Sequence, residues 1–466
     1  MKRKAFEMFK NRVFIRILAL VLVCASFALA GCRGDTPTLK TDTAATSTQT
    51  EAVSETATGK LPSPTDMTAP ESTSEPESTP TPETPTPAEP VVVSKSSFLF
   101  AGDNLLHRGI IRDGLRNAAA NEDFNFDFIY EFIAPQVQAA DYAFINQEAI
   151  IIPKDKIGGK PESFLDHTES TSFCSPPEVL DALAHTGFDG IVMANNHMLD
   201  QGAGGLQWAI DYSRTREDLN FFGGYYDEAD RSVIRTIKVG DITIAVLAYT
   251  YGTNVSSERA ARHAPEFKFL VPYIEDERIL SDLKKAEEIA DFTLVQIHWG
   301  NENKFYANDE QKRLAGLMAE NGADLIIGHH SHTLQPIEYI PDGKGGEVLC
   351  VYSLGTLMSN MAHPRNMLAG LFTCNLVLWS DGHITVEDPL LTPTVFYYNM
   401  SYRQSKIFYL NQMTQERCSS HGIGNYPKDS SKKNKMVLET LYEYVHTAVD
   451  DRFLPDEYKK NPGGGE

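Results

Sequence analysis

Short apolar runs of strand length recur along this chain from about residue 96 onward. Apolar runs bounded by turn residues predict buried strands, whereas longer amphipathic stretches predict helices. The predicted strands are Phe98–Phe100, Tyr142–Ile145, Ile191–Met193, Ile242–Ala248, Phe292–Ile297, Leu325–Ile327, Leu349–Tyr352 and Leu371–Leu378. The predicted helices that lie between several of them are Phe126–Ala139, Pro177–His185, Gly205–Thr215, Glu275–Ala290 and Asp309–Asn321.

This alternation of strands and helices predicts an α/β fold, a mixed sheet with helices on its faces. The strand-rich stretch from Leu349 to Val386 favours antiparallel pairing near its end. We place this domain at residues 93–392 and treat residues 393–466 as a C-terminal extension. The extension is predicted to be partly helical, with a helix over Lys435–Val449, and its role does not follow from the sequence.

The amino terminus has the pattern of a signal peptide over residues 1–31. Basic residues precede an uncharged apolar stretch, Ile17–Ala30, which is too short to span a bilayer comfortably. It ends in Leu29-Ala30-Gly31-Cys32, which resembles the lipobox of bacterial lipoproteins. That resemblance implies a lipidated Cys32 and a protein anchored in membrane lipid on the extracytoplasmic face of the cell membrane. The alternative is an ordinary signal peptide with a chance cysteine.

Residues 32–92 have the composition of a linker. Thr, Pro, Ser and Glu dominate, and aromatic residues are absent from the segment. Such a segment buries too little apolar surface to offset its ordering entropy, so disorder is expected. Its prolines favour an extended spacer, which suits a tether between a membrane anchor and a domain.

The net charge limits the kinds of partner that the chain can bind, and the cysteines indicate whether it has disulfides or thiolate metal sites. The formal net charge is −21, and no basic, aromatic-rich stripe occurs, which argues against a nucleic-acid partner. Besides Cys24 and Cys32, the cysteines are Cys174, Cys350, Cys374 and Cys418. Cys350 and Cys374 fall in apolar, strand-like runs, which favours buried free thiols over a disulfide framework, and none of the four has the spacing of a zinc thiolate pair.

Polar side chains of the kind that bind metals follow five of the predicted strands. The first three of these segments contain Gly102-Asp103, Asn146 with Glu148, and Asn195-Asn196-His197 with Asp200. Asn146 and Glu148 lie on the same side of an extended chain. Buried amides and imidazoles need partners, which a metal ion or a phosphate would supply. Taken singly, each could instead be a turn or a solvated strand end.

The remaining two segments are rich in histidine. One is His298-Trp299-Gly300-Asn301-Glu302, and the other is Gly328-His329-His330-Ser331-His332. A His-x-His pair in an extended backbone would point two imidazoles to one side, toward one ion. Alone, the first could be a core histidine and the second a surface tract without a ligand. Five such strand ends together favour a ligand site, and open α/β sheets bind ligands at these ends.

These segments, in this order, resemble the CapA family of bacterial poly-gamma-glutamate capsule synthesis proteins, the PGA_cap domain. The resemblance covers roughly Ser96 to Thr392 and includes two further blocks, Phe222-Gly223-Gly224 with Ala229, and Tyr352-Ser353-Leu354-Gly355. The chain departs from the family pattern at Ser331, Gln147 and Thr356, where proline, leucine and asparagine are usual. These departures put in doubt whether substrate is handled as in the better-known members.

The resemblance implies a fold like that of the calcineurin-like metallophosphoesterases, a four-layer β-sandwich flanked by helices with a metal site at strand ends. By that likeness, two divalent ions (Mn, Fe or Zn) are expected. The metal ligands would be Asp103, Glu148, Asn196, His298, His330 and His332. The catalytic pair would be His197 and Asp200, with His197 beside the leaving group. Substrate contacts are assigned to Asn146, Asn195, Trp299, Glu302 and His329, and His107 and His329 are reserve ligands.

Three functions remain open from the sequence. The resemblance implies a role in poly-gamma-glutamate synthesis, export or retention, with the polymer and membrane synthetase subunits as partners. A metal-dependent hydrolase or transferase acting on another cell-envelope substrate is the second. The third is a metal-dependent polymer-binding module without turnover.

Overall fold

The computed structural model describes residues 89–168, 172–254, 269–429 and 432–460. The predicted signal peptide, Cys32 and residues 32–88 of the linker lie outside these ranges, so their predictions stay untested. Within the described ranges, no helix combines the length and the apolar character that a membrane crossing requires.

A seven-stranded sheet has the order β13-β12-β11-β1-β2-β3-β4. Strands β1 to β4 run parallel to one another, whereas β11, β12 and β13 pair antiparallel on the other side of β1. Parallel strands end at the same edge of a sheet, so the polar residues after β1, β2 and β3 come together. The strands are β1 Val92–Asn104, β2 Tyr142–Gln147, β3 Gly190–Val192, β4 Asn220–Phe222, β11 Leu368–Trp379, β12 Ile384–Tyr397 and β13 Lys406–Tyr409.

A six-stranded sheet has the order β5-β6-β7-β8-β10-β9. Its inner strands β6, β7, β8 and β10 are parallel, and its two edges are antiparallel. The strands are β5 Arg235–Val239, β6 Ile242–Thr250, β7 Phe292–His298, β8 Leu325–His329, β9 Ile337–Pro341 and β10 Glu347–Val351; β14 Pro427–Asp429 and β15 Lys432–Lys433 form a separate small pair.

Four of the five helices predicted before residue 393 are found as single helices, and one is divided in two. The helices Arg108–Asn117, Glu228–Ser232 and Gln415–Ser420 were not predicted. The predicted helix Phe126–Ala139 is two short helices, because Pro135 lacks the amide hydrogen and its ring crowds the preceding turn. The α-helices are α1 Arg108–Asn117, α2 Asp127–Tyr130, α3 Ala134–Val137, α4 Glu178–Thr186, α5 Gly202–Ser213, α6 Glu228–Ser232, α7 Asp276–Ile289, α8 Asp309–Glu320, α9 Gln415–Ser420 and α10 Leu438–Ala448.

The side chains of the six-stranded sheet alternate between two cores. Leu294 and Ile327 belong to the large core, which also contains Phe100 of the seven-stranded sheet. Val295 and Ile326 belong to a second core, which includes residues of α7 and α8. The period of two along each strand thus places one face on the other sheet and one face on helices. The predicted α/β class, with two sheets flanked by helices, is confirmed.

The residues after 392 continue the seven-stranded sheet. β12 runs through the predicted boundary at 392, and its last residues pair with β13. Val395 and Phe396 are buried in the large core, as is Leu441 of α10. The predicted extension therefore contributes one edge of the sheet and part of the core.

The four cysteines among the described residues are free and buried. Burial raises the pKa of Cys174 and Cys374 to about 12, so these thiols stay protonated and unreactive near neutral pH. The prediction of buried free thiols is confirmed for Cys174, Cys350, Cys374 and Cys418.

Candidate metal centre

Side chains from both sheets meet where the parallel strands end. Asp103 lies near the end of β1, Glu148 just after β2, and Asn196 a few residues after β3. The other sheet supplies the last residue of β7, His298, and the residues after β8. All of these side chains are buried, with at most a few per cent of their surface exposed. The parallel ends of two sheets thus form a single polar cluster in the interior.

Glu148 is at the centre of this cluster. Its Oε1 lies 3.4 Å from Nε2 of His332 and 3.6 Å from Nε2 of His298. The ring of His330 lies between these two histidines, with ring centroids 4.8 Å from His298 and 5.9 Å from His332. One ligand atom each of Glu148, His330 and His332 lie within 4.8 Å of one another, which is close enough to bind a single ion.

Asp103 forms a second centre of contact. Its Oδ2 lies 3.1 Å from Nδ1 of His332, and its Oδ1 lies 3.6 Å from Nδ1 of His329. Asn146 donates from Nδ2 to the same Oδ1 at 2.7 Å. Asn196 completes the cluster, with its Oδ1 2.8 Å from Nε2 of His298. The six residues expected as metal ligands therefore lie together.

The backbone around the histidine pair is not extended. His330 has φ of +86° and His332 has φ of +54°, in the left-handed region that side-chain-bearing residues rarely occupy. The expectation that an extended His-x-His points both rings to one side is therefore wrong in its geometry, although both rings reach the cluster. Each such residue costs of the order of 1 kcal/mol, and such strain concentrates at ligand sites.

The protonation of the cluster is set by burial and by the carboxylates. Burial lowers the pKa of His330 to about 3 and that of His329 to about 4, and it holds that of His298 well below its usual range. Burial also opposes protonation of His332, but the neighbouring carboxylates, Glu148 foremost, raise its pKa to about 9. The first three imidazoles are thus neutral, which is the form that binds metals.

Several polar atoms of the cluster lack a hydrogen-bond partner among the described residues. They include both carboxylate oxygens of Glu148, Oδ1 of Asn146 and Nδ1 of His330. Leaving such an atom buried and unpaired costs about 1–3 kcal/mol, more if it is charged. A metal ion would satisfy them, and carboxylate, amide and imidazole donors suit manganese, iron or zinc. The residues present therefore fit a divalent metal; two ions remain a prediction.

His197 and Asp200 form a hydrogen-bonded pair beside the cluster. Nδ1 of His197 lies 2.8 Å from Oδ2 of Asp200, which also accepts from the backbone N of Phe173 at 2.9 Å. With its Nδ1–H donated to the carboxylate, His197 presents Nε2 to the cluster, 4.0 Å from Oε1 of Glu148. Oδ1 of Asn195 accepts from the backbone N of His197 at 3.0 Å and steadies this turn.

The residues assigned to substrate divide into three groups. Asn146, Asn195 and His329 are buried within or beside the cluster, where they contact other residues of the site. Glu302 is exposed at the rim of the site, and its carboxylate raises the pKa of Glu148 and that of His332. Trp299 is not brought to the cluster.

Trp299 belongs to the second core instead. Its indole stacks on Tyr352 and donates from Nε1 to the carbonyl O of Tyr352 at 3.0 Å. His298 is the last residue of β7, so the period of two sends Trp299 to the opposite face. The substrate-contact assignment of Trp299 is corrected to a core residue that supports the site from behind.

His107, the reserve ligand, lies next to the pair rather than among the metal-binding atoms. Its ring meets Phe173 edge to face at 4.9 Å, and the other side of Phe173 meets His197 at 5.1 Å. Nδ1 of His107 accepts from the backbone N of Asn360 at 3.3 Å. Phe173 thus separates the two imidazoles.

The model of one protein family matches residues 97–361, more than half of the chain, and its description is bacterial capsule synthesis protein PGA_cap. The chain belongs to this family. Every residue of the cluster and the His197–Asp200 pair lie inside the matched range, whereas β11, β12 and β13 lie beyond it. The sequence resemblance to PGA_cap proteins is confirmed.

Two curated relatives are similar to this chain in sequence. The PGA biosynthesis protein CapA of Bacillus subtilis (strain 168) is 28% identical over 280 residues, which are 59% of this chain and 67% of that protein. The capsule biosynthesis protein CapA of Bacillus anthracis is 26% identical over 257 residues, 54% of this chain. The match spans 59% of the length of that second protein.

Solved structures show weaker likeness. A hypothetical protein from Thermus thermophilus has a TM-score of 0.37 at 14% identity and covers 64% of this chain and 99% of its own. The NAD nucleotidase of Haemophilus influenzae has a TM-score of 0.39 at 12% identity and covers 70% of this chain and 54% of its own.

Sequence reasoning missed two residues of this PGA_cap site, which follow β6. The ring centroid of Tyr251 lies 4.5 Å from that of His330 and 6.3 Å from that of His298. Tyr251 is 39% exposed, so it lies between the histidines of the cluster and solvent. Asn254 contacts Asn196 and His197. The predicted strand stopped at Ala248, two residues short of the end of β6 at Thr250. Polar residues after that strand end were the signal that could have found them.

Proposed function

We propose that this chain takes part in the synthesis, export or retention of a poly-gamma-glutamate capsule, through a metal-dependent hydrolase or transferase site. Membership of the PGA_cap family and the printed names of the Bacillus relatives support the capsule assignment. The observation that carries the chemistry is the buried cluster of carboxylates, amides and imidazoles with unpaired ligand atoms.

A divalent ion bound by Glu148, His330 and His332, and a second near Asp103, would polarise a carbonyl or phosphoryl oxygen and lower the pKa of bound water. Because of burial, the ligand side chains are held rigidly and away from bulk water. The neutral imidazoles of His298 and His330 need not lose a proton before binding, whereas His332, with a pKa of about 9, must lose one.

The His197–Asp200 pair would manage the proton of the leaving group. Asp200 accepts from Nδ1–H of His197 and would stabilise the imidazolium form of that ring, whose Nε2–H faces the cluster and would be the proton given to the departing oxygen or nitrogen. The Phe173 ring on one side and the Asn195 cap limit the rotation of this imidazole.

The test uses the purified full chain beside His330→Ala/His332→Ala, His197→Gln and the exposed control His383→Ala. Bound metal is measured by elemental analysis, and turnover is measured on poly-gamma-glutamate and on bis(p-nitrophenyl) phosphate. We expect the double variant to lose both metal and turnover, and His197→Gln to keep metal but lose about 10²–10⁴-fold in turnover. Unchanged turnover in the double variant would rule out the metal-dependent site.

We further propose that Cys32 is lipidated and anchors the chain at the outer face of the cell membrane, where membrane synthetase subunits would deliver the polymer. The sequence Leu29-Ala30-Gly31-Cys32 supports this proposal. Labelled palmitate should enter the wild-type chain but not Cys32→Ser, and that variant should leave the membrane fraction. Labelling that persists in Cys32→Ser would contradict the anchor.

A further inference from the structure

Asn254 lies against the turn that carries Asn196 and His197, although it is 58 and 57 residues away along the chain. The loop after β6 is fastened to the site at two points. The backbone N of Tyr251 donates to the carbonyl O of His298 at 3.0 Å, and the backbone N of Asn254 donates to the carbonyl O of Asn196 at 2.8 Å. These two hydrogen bonds fix the position of the Asn254 backbone, from which its side chain extends to the site.

The Asn254 side chain determines which way the Asn196 amide faces. Nδ2 of Asn196 donates to Oδ1 of Asn254 at 3.0 Å. An amide has one oxygen and one NH₂ group on opposite sides, so this bond turns Oδ1 of Asn196 toward His298, 2.8 Å from its Nε2. Only the oxygen can bind a metal. If the amide were reversed, an NH₂ group would face the cluster.

The other end of the Asn254 amide contacts His197. Nδ2 of Asn254 lies 3.3 Å from Nδ1 and 3.4 Å from Nε2 of that ring. Nδ1 is already hydrogen-bonded to Asp200 at 2.8 Å, and a donor nearly equidistant from both ring nitrogens lies over the ring face. The contact is thus an N–H group on an imidazole π face, which limits tilting of the ring.

We propose that Asn254 is a positioning residue, which directs the oxygen of Asn196 into the metal cluster and supports the face of His197. This inference rests on the metal centre of the proposed function. It assigns to the loop after β6 a role in metal affinity, although Asn254 itself donates no atom to the cluster. Partners that orient metal ligands commonly contribute about 10–100-fold in affinity.

The test measures Mn²⁺ affinity of the full chain by competition with a fluorescent chelator. Asn254→Leu removes the acceptor while keeping the number and branching of the side-chain heavy atoms, and it should weaken Mn²⁺ binding at least tenfold. Asn254→Asp keeps an acceptor for Asn196 and should bind Mn²⁺ at least as tightly as the wild type. Equal affinity of Asn254→Leu and the wild type would overturn the proposal.

A second background separates orientation from general damage to the fold. In Asn196→Asp both side-chain atoms are oxygens, so either orientation presents a ligand and no orienting partner is needed. Asn254→Leu should therefore change Mn²⁺ affinity less than threefold in the Asn196→Asp background; a full tenfold loss there would contradict the proposal. If the wild type binds no Mn²⁺, the metal centre and this inference both fail. If it binds and Asn254→Leu is neutral, only the inference fails.

Discussion

At the residue scale, Glu148 is the side chain whose environment makes least sense without a ligand. It is fully buried, and neither carboxylate oxygen has a hydrogen-bond partner among the described residues. Burial raises its pKa well above the usual range, and the nearby Asp103 adds to this. Since the folded pKa of an acid is raised, its ionised form lowers the stability of the fold at neutral pH.

Glu148→Gln should therefore leave the metal-free protein as stable as the wild type or more stable, while abolishing the response to metal. At a free Mn²⁺ concentration of about 100 times the dissociation constant, the wild type should gain about 2.7 kcal/mol of stability. Urea unfolding with and without MnCl₂ measures the difference, with the exposed Glu310→Gln as the control. A full manganese response in Glu148→Gln would exclude Glu148 as a ligand.

The corrected role of Trp299 gives a second prediction. Because its indole fills the core behind the site, Trp299→Ala should cost about 3–5 kcal/mol of stability. Trp299→Phe should keep most of the packing and leave Mn²⁺ affinity within about twofold of the wild type. Urea unfolding and metal titration of both variants test this. A large loss of metal affinity in a well-folded Trp299→Phe variant would show that Trp299 contributes to the metal site directly.

The contrast between Trp299 and its neighbour shows what residue patterns predict here. Strand ends identified His298 because an imidazole after an apolar run needs a partner. The same period of two assigns Trp299 to the opposite face, away from the site. The positive φ of His330 and His332 was not anticipated, since residues other than glycine adopt that conformation in only a few per cent of cases.

At the element scale, a buried ion pair joins α6 to α7. Nη2 of Arg231 lies 2.9 Å from Oδ2 of Asp282, and the hydroxyl of Tyr249 in β6 donates to the same oxygen at 3.1 Å. Both charged side chains are nearly inaccessible. The pair therefore locks two helices to the six-stranded sheet, and breaking it leaves one charge buried without a partner.

Arg231→Met should cost about 3–5 kcal/mol, and the further change Asp282→Leu should restore much of that loss. The matched control is Arg313→Met, which breaks a pair with Asp276 of α7 at 2.8 Å. Both partners there are about half exposed, so the expected change is within about 1 kcal/mol. Equal effects of the two arginine variants on urea unfolding would contradict the assigned difference.

The inner strands and the long amphipathic helices were predictable, whereas the short edge strands, the helix α1 and the strand β12 were not. The inner strands β6 and β7 and the helices α7 and α8 carry many apolar positions, so their patterns were clear in the sequence. β4 has three residues and β13 has four, and both lie at the edges of the seven-stranded sheet. Their pairing depends on distant strands rather than on local pattern, which is why sequence reasoning left them out.

At the scale of the whole molecule, the last part of the chain completes the fold. A chain that ends at Thr392 lacks the buried Val395 and Phe396, and it leaves the first residues of β11 without a partner on one side. We expect this shortened chain to aggregate, because an uncovered apolar edge strand pairs readily with other chains. A chain that ends at Lys460 should elute as the full chain does, without aggregation. Size-exclusion chromatography distinguishes them, and a monomeric, cooperatively unfolding chain ending at Thr392 would contradict this.

Acid should destabilise the molecule through its buried neutral histidines. His421 is 1% exposed, and burial lowers its pKa to about 4 despite a hydrogen bond to the carbonyl O of Phe396. The folded state therefore binds fewer protons than the unfolded state between about pH 6.5 and pH 4. The contribution of neutral His421 to the free energy of unfolding is complete above about pH 6.5. It is lost progressively as the pH falls from 6.5 through about 4.

Between pH 7 and pH 5 the contribution of His421 to the free energy of unfolding should fall by about 2 kcal/mol. Urea unfolding at these two pH values should show a smaller decrease for His421→Asn than for the wild type. His383→Asn, at an exposed histidine, should behave like the wild type. Identical pH dependence of His421→Asn and the wild type would show that His421 does not contribute to the loss of stability in acid.

The division of the cluster between two sheets has a mechanical consequence. Asp103 and Glu148 follow strands of one sheet, and His298, His330 and His332 follow strands of the other, so a bound ion would join the two halves of the sandwich. The four cysteines of the described chain form no such cross-link. Removal of the metal by a chelator would then break a cross-link between the two sheets, as reduction does in a disulfide-bonded domain. The sheets would separate where they meet at the metal site, and amide exchange would become faster at both sets of strand ends.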